Sequence, residues 1–167
     1  MTPIQRYRIE QHEGDYASWP KKSRLWADGH LLPHGVPGYV IEAQYDTPLG
    51  PLLITSYDCM YEEANDFLLI DHTGRVVAQA TLGLMFCSYL LDAHWPVDAH
   101  TLALHYHLND FYTLTVRPGR LFGSGQPGLQ LNPCLDWQRD ARMVASSQRL
   151  QEKLARVRET WGDGTAA

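Results

Sequence analysis

The sequence predicts an α+β fold, in which an antiparallel β-sheet of about seven strands carries a long C-terminal helix packed on it. Two patterns lead to this prediction. Between residues 39 and 122, short β-rich runs follow one another through short connections, which favours antiparallel pairing. From residue 133 onward, the apolar spacing lengthens to that of an α-helix. A chain of 167 residues is expected to form a single domain.

The first 38 residues are rich in Pro, Gly, Lys and His, so residues 1–38 are predicted to form an irregular N-terminal arm that opens on a strand-like segment. The sheet is predicted over 39–122. Its clearest hairpin joins two β-rich runs around a short turn that contains Gly74. Strands are expected at residues 39–45, 52–56, 67–71, 75–81, 101–107 and 111–116, with the fourth continuing past Gly83 to residue 91 as a bent strand.

The last predicted element is a helix over residues 133–161. Asn132 is placed as its N-cap and Pro133 as its first residue, and Gly162 is placed to end it. A one-sided stripe with spacings of three and four residues is expected to pack on the sheet; it consists of Met143, Ser147, Leu150, Leu154, Val157 and Trp161.

The net charge of −5 conceals a strong segregation along the chain. Residues 28–116 contain eleven acidic residues and one basic residue, Arg75, a balance of −10, while both flanks are positive. Uncompensated carboxylates repel one another, so they indicate solubility or the attraction of a cationic partner. They argue against nucleic acid, whose phosphates would be repelled. The longest apolar run, residues 82–91, is too short to span a bilayer, and the chain is expected to be soluble and cytoplasmic.

The enzymatic alternatives rest on weaker patterns. His105 and His107 alternate along a predicted strand, so both could face one metal ion if a third ligand arrived from elsewhere. This leaves a small metal-dependent enzyme open as an alternative. The sequence Gly-x-Gly-x-x-Gly at 123–128 lacks the strand and helix of a dinucleotide site, because Pro127 blocks the helix. The prediction is therefore a protein that is not an enzyme and has no cofactor; a structural assembly subunit is the third possibility.

Two acidic segments are predicted to form the recognition surface. Both combine carboxylates, which pair with a partner's Arg or Lys, with aromatic side chains of the kind that anchor interfaces. If the chain from 75 to 91 is one bent strand, the two segments lie at the same edge of the sheet. The candidate binding residues are Tyr57, Asp58, Tyr61, Glu62, Glu63 and Asp66 in the first segment, and Asp92, Trp95 and Asp98 in the second.

The hairpin at 67–81, with its run Ile-Asp-His-Thr-Gly-Arg-Val-Val, is similar in its general residue pattern to segments of small bacterial proteins that are paired with secreted toxins. Together with the acidic sheet over residues 39–116, it makes the chain resemble a bacterial immunity protein. The resemblance implies a toxin inhibitor that binds its cognate toxin and covers a cationic active site with an acidic surface. It assigns no role to an individual residue.

Overall fold

The computed structural model describes residues 1–57, 59, 63–84, 89–107, 110–119, 125, 127–136, 144–149, 151–152 and 155. These residues contain twelve strands in three antiparallel sheets. In chain order the strands are β1 (Thr2–Pro3), β2 (Tyr7–Ile9), β3 (Leu25–Ala27), β4 (His30–Leu31), β5 (Val40–Asp46), β6 (Leu52–Ser56), β7 (Ala64–Ile70), β8 (Val76–Gly83), β9 (Leu91–Pro96), β10 (Thr101–Tyr106), β11 (Asp110–Arg117) and β12 (Gly128–Pro133).

The central layer is a five-stranded sheet in the order β1-β5-β6-β7-β8. All of β6 and almost all of β7 are buried, because both faces of this sheet are covered. Leu53 and Leu68 belong to the core on one face, and Ile54 and Phe67 belong to the core on the other. Burial on both faces explains why these strands contain the continuous apolar runs 52–54 and 67–70 rather than an alternating pattern. The predicted strand at 52–56 and the hairpin of β7 and β8 are confirmed.

One face of the central sheet packs against a four-stranded sheet in the order β12-β11-β10-β9. Their shared core combines Ile54 and Phe67 with Leu102, Leu104 and Leu114. The outer face of the four-stranded sheet has a smaller apolar cluster of its own, centred on Trp95, Ala103 and Phe111. The sandwich thus places β5, near one edge of the central sheet, on the same side as β9, the edge strand of the second sheet.

The opposite face of the central sheet is covered by the N-terminal segment, which was expected to be irregular. Residues 1–38 instead form β1 and the three-stranded sheet β2-β3-β4. Leu25 and Val36 are fully buried against the central sheet. Asp28 and Gly29 join β3 to β4 with positive φ angles of 50° and 82°, the conformation of a two-residue hairpin turn. The strands are only two or three residues long.

The α+β prediction is wrong, because the described residues are mostly β-structure with only a short helix. Asn132 and Pro133, placed at the start of the helix, lie in β12, which pairs with β11. Leu129 and Leu131, two residues apart, both pack against the sandwich core, as expected for the two-residue repeat of a β-strand. α-Helical backbone among the described residues is confined to 144–149, 151–152 and 155, and no long C-terminal helix is found there. Most of the predicted apolar stripe lies outside the described residues.

The predicted bent strand through Gly83 is also wrong. β8 ends at Gly83, which pairs with Ala64, and β9 belongs to the other sheet. A Cβ atom on residue 83 would approach the Cβ of Ala64 to 2.6 Å, so the close contact between these backbones favours glycine. The chain passes from one sheet to the other between Gly83 and Leu91, and residues 85–88 of this passage lie outside the described residues.

Candidate interaction site

Asp66, predicted to be a surface carboxylate, is buried in β7 with 3% of its surface exposed. Its carboxylate accepts hydrogen bonds from the Tyr57 hydroxyl at 3.0 Å, from Gln79 Nε2 at 3.0 Å and from the Thr81 hydroxyl. These neutral donors satisfy the charge inside the fold. Burial, followed by the adjacent Asp66 carboxylate, raises the pKa of Tyr57, which therefore remains a protonated donor at neutral pH. Asp66 is thus a buried hydrogen-bond acceptor within the fold, and its carboxylate is not at the surface where the prediction placed it.

Trp95, the predicted interface anchor, is also part of the core. It is only 5% exposed, it packs with Ala103 and Phe111 on the outer face of the second sheet, and its indole N–H donates to the Ser146 hydroxyl at 2.9 Å. The bond to Ser146 ties residues 144–149 to this face. A side chain that is buried and hydrogen-bonded in this way is not available to a partner without opening the fold.

The remaining predicted residues differ in exposure and position. Tyr57 and Glu63 are half-buried, and Asp92 and Asp98 are exposed. Asp58, Tyr61 and Glu62 lie outside the described residues.

The second predicted segment runs along β9 from one end of the sandwich to the other. Asp92 lies near the start of β9, at the end where the carbonyl of Glu63 accepts from the N–H of Tyr89, whereas Asp98 follows the other end of β9. The backbone carbonyl of Asp98 accepts from the Met1 ammonium group at 2.7 Å, and β1 then pairs with the last two residues of β5. Tyr57 comes directly after β6, whose last residue pairs with Val40 at the start of β5, so Tyr57 lies at the other end of β5 from β1. Asp98 is therefore at the opposite end from Glu63, so the described residues of the two segments do not all share one edge.

The histidine pair is not arranged as expected for a metal site. The ring of His105 stacks on Phe111, with centroids 4.3 Å apart, and the β10–β9 register shifts between His105 and Tyr106. His107 lies just beyond β10 and is exposed. Among the residues that the structure describes, no group of three His, Cys, Asp or Glu side chains could hold a metal ion.

A different set of carboxylates shares one side of the molecule. Tyr45 on β5 contacts His94 on β9, so these two strands lie beside each other at the edge of the sandwich. Both strands and the turn after β9 carry exposed acids, which we call the acidic edge: Glu42, Asp46, Asp92 and Asp98. Sequence inspection found the excess of acids but not this grouping, because the grouping depends on the order of strands in two separate sheets.

A cluster of titratable side chains lies at the centre of the acidic edge. The Tyr45 hydroxyl and Nδ1 of His94 are 2.5 Å apart, and both residues line a cavity of about 610 Å³. Burial raises the pKa of Tyr45 to about 12 and lowers the pKa of His94, although nearby Glu42 opposes the second shift. Glu42 in turn accepts from the buried Ser56 hydroxyl at 2.6 Å. The hydrogen bond between Tyr45 and His94 therefore joins two neutral groups and connects the two sheets.

His94 should make the protein sensitive to mild acid. In the unfolded chain its pKa is about 6.5, whereas burial lowers it in the folded state. As the pH falls below the unfolded value, only the unfolded chain takes up the proton, so the free energy of unfolding decreases; above that value His94 contributes no pH dependence. Between about pH 7.5 and about pH 5.5, the melting temperature of the wild type should fall more than that of His94→Gln. Equal decreases would contradict this assignment.

A second group of aromatic residues lies beside the other face of β5. The rings of Tyr16, Trp19 and Tyr39 contact one another with centroids 5.0 to 5.6 Å apart. His12 contacts Trp19 and Tyr39, and Tyr57 contacts Tyr39 at 5.4 Å. We call these five residues the aromatic cluster. Its members come from the N-terminal segment and from the ends of two central strands, so the sequence offers no local signal for it.

The aromatic cluster borders a groove of about 890 Å³ between β2 and β5. Gln44 crosses from β5 to β2: its side-chain oxygen accepts from the N–H groups of Arg6 and Tyr7, and its nitrogen donates to the Tyr7 carbonyl, each at 2.8 Å. Gln44 thereby holds the small N-terminal sheet against the edge of the central one. The same residue borders the cavity at His94, so β5 is flanked by both concave surfaces.

His12 and Ser23 form a pair that superficially suggests nucleophilic catalysis. His12 Nε2 lies 2.8 Å from the Ser23 hydroxyl, but that hydroxyl donates its only proton to the Gly38 carbonyl at 2.8 Å. Ser23 must then accept from a protonated Nε2, which is the reverse of what a general base requires. Ser23 is also fully buried. The pair connects the N-terminal segment to the start of β5.

Searches against known proteins returned no match: no family model, curated protein or solved structure resembles the chain significantly. Among the described residues, no helix has the length and apolar character needed to cross a membrane.

Proposed function

We propose that this protein is a binding protein whose acidic edge docks on a cationic protein partner. In its most specific form, the proposal is a cytoplasmic immunity protein that covers the active site of a cognate bacterial toxin. The observation that carries it is that the acidic residues are both segregated along the sequence and exposed: the acid-rich stretch 28–116 places carboxylates on β5, next to the edge of the central sheet, and on β9, the edge strand of the second sheet.

The fold's own ion pairs support this use of the acidic edge. The salt bridges Arg6–Asp28 and Arg24–Glu10 join residues of the N-terminal sheet and its flanks. Within the described part of the chain, Glu42, Asp46 and Asp92 form no salt bridge. Exposed carboxylates of one sign on one side of a molecule raise the rate of encounter with a cationic surface. They contribute little to folding, so they can be changed without unfolding the protein.

Charge reversal tests the proposal. The double variant Asp46→Lys with Asp92→Lys should associate about tenfold more slowly than the wild type with the protein encoded beside this gene, because steering is lost. The matched control is Asp136→Lys, which lies in the segment after β12, at the opposite edge of the second sheet. Surface plasmon resonance or stopped flow measures the association rate, and thermal melting verifies that each variant is folded. A double variant that associates as fast as Asp136→Lys would exclude the acidic edge.

A further inference from the structure

The outer edge of β2 is not paired with another strand. β2 is an edge strand of the three-stranded sheet and pairs only with β3. The N–H of Glu10 donates to the Arg24 carbonyl at 2.9 Å, so the main-chain groups of Glu10 face β3. Because these groups alternate in direction along an antiparallel strand, those of Tyr7 and Ile9 point away from β3. They are directed to the side of the groove beside β5, which both residues line.

The side chain of Gln44 already bonds to this edge as a neighbouring strand would. Its oxygen accepts from the N–H of Tyr7 and its nitrogen donates to the Tyr7 carbonyl, each at 2.8 Å. A residue of a paired antiparallel strand would satisfy the same two groups with its own N–H and C=O. The next outward pair along β2, the N–H and C=O of Ile9, has no such partner among the described residues. The edge is therefore satisfied at Tyr7 and open at Ile9.

The groove along this open edge suits a polypeptide backbone. It has a volume of about 890 Å³, and its charges balance, because two arginines and two glutamates line it: Arg8, Arg24, Glu10 and Glu13. Arg24 and Glu10 also form a salt bridge. The indole N–H of Trp19, another lining residue, is buried without an acceptor in the described part of the chain. An extended main chain is neutral and supplies both donors and acceptors, whereas a charged side chain finds no excess of the opposite charge here.

We propose that an extended segment of the partner polypeptide adds to the free edge of β2 as a fourth strand of the N-terminal sheet. This rests on the proposed function for the identity of the partner, since the acidic edge attracts it. Glu42 and Asp46 lie on β5, the strand that also borders the groove. In strand addition the main chain provides affinity and alternate side chains provide specificity. Every second side chain of the added strand would face Val40 and Ile41, so apolar residues are expected at those positions.

Short linear peptides selected from a random phage-displayed library on the full-length protein test this inference. A selected peptide should slow hydrogen exchange at the Ile9 amide about tenfold or more, measured by NMR, because that N–H becomes bonded. The amide of Glu10, which is bonded to Arg24 in the free protein, should change little. The absence of any selected peptide, or peptides that leave exchange at Ile9 unchanged, would refute strand addition.

Proline at position 9 removes the outward N–H and leaves the bonds to β3, because a sheet tolerates proline where the N–H faces away from the neighbouring strand. Ile9→Pro should weaken peptide binding about tenfold relative to Ile9→Ala. The alanine variant is the matched control, since it loses the same side-chain contacts but keeps the N–H. Equal affinities of the two variants would contradict the pairing, and thermal melting verifies that both are folded.

A scan of the peptide itself tests the pairing without any change to the protein. Synthetic versions of one selected peptide carry a methyl group on a single main-chain nitrogen, at each position in turn. Affinity for the wild-type protein should fall about tenfold at every second position within the bound segment, where the N–H faces β2, and change less at the positions between. A loss without this alternation would show that side chains, not main-chain pairing, hold the peptide.

The outcomes separate this inference from the proposed function. If the peptides pair with β2 while charge reversal at Asp46 and Asp92 leaves partner association unchanged, strand addition stands and the acidic edge fails. If charge reversal slows partner association but the partner does not slow exchange at the Ile9 amide, the acidic edge stands and strand addition by this partner is refuted.

Discussion

Replacing Asp66 with alanine is expected to destabilise the protein by about 2 kcal/mol. The substitution removes a buried acceptor shared by Tyr57, Gln79 and Thr81, and leaves the half-buried Tyr57 hydroxyl without its partner. Gln79 and Thr81 are exposed, so their donors can turn to water, and the loss comes mainly from the Tyr57 hydroxyl and from the hydrogen bonds made to the carboxylate. Urea unfolding followed by circular dichroism measures the change.

Two further variants determine whether the acceptor or the cavity causes that loss. Asp66→Asn keeps the volume but replaces one acceptor oxygen with an N–H₂ group, so it should also destabilise the protein substantially. Tyr57→Phe removes only one donor and should cost about 1 kcal/mol. If Asp66→Ala costs less than Tyr57→Phe, then Asp66 is not the acceptor that these donors share.

Leu25→Ala should destabilise the protein by about 2 to 5 kcal/mol, although it lies in a stretch expected to be irregular. Leu25 is completely buried between the N-terminal sheet and the central sheet. Leu31 is the matched control, because it is the same residue type in the same three-stranded sheet but is 54% exposed. Leu31→Ala should change the free energy of unfolding by less than about 0.5 kcal/mol. Equal effects in chemical denaturation would show that the N-terminal segment does not cover the central sheet.

Local patterns predicted the strands whose partners are close in sequence. The residues of β6 and the hairpin of β7 and β8 have strong β propensity and a glycine turn, so a short window of sequence contains the information. Of the N-terminal sheet, only the strand-like opening was predicted, and it corresponds to β2; the other strands have two or three residues, too few to show a two-residue period. Asp28-Gly29 was the available signal, since this dipeptide is typical of a two-residue hairpin turn.

The start of the C-terminal helix was predicted wrongly because the local sequence at Asn132 and Pro133 favours a helix, whereas the packing of this segment in the folded protein favours a strand. Asn132-Pro133 is typical of a helix start, but Leu129 and Leu131 complete the sandwich core when the segment pairs with β11. The excess of acidic residues could be counted along the sequence, whereas the burial of Asp66 and Trp95 could not be predicted from it. Asp66 is buried because Gln79 and Thr81 come from the next strand, and Trp95 because a distant segment supplies Ser146.

The dependence of partner association on ionic strength tests the central claim most directly. Steering by exposed charges acts over the Debye length, which is about 8 Å at physiological ionic strength and longer in dilute salt. The wild-type association rate should therefore fall steeply as salt is added, and the rate of the Asp46→Lys, Asp92→Lys variant should change little. The two proteins should converge at high salt. A wild-type rate that is independent of salt, or a variant with the same salt dependence as the wild type, would contradict a recognition role for the acidic edge.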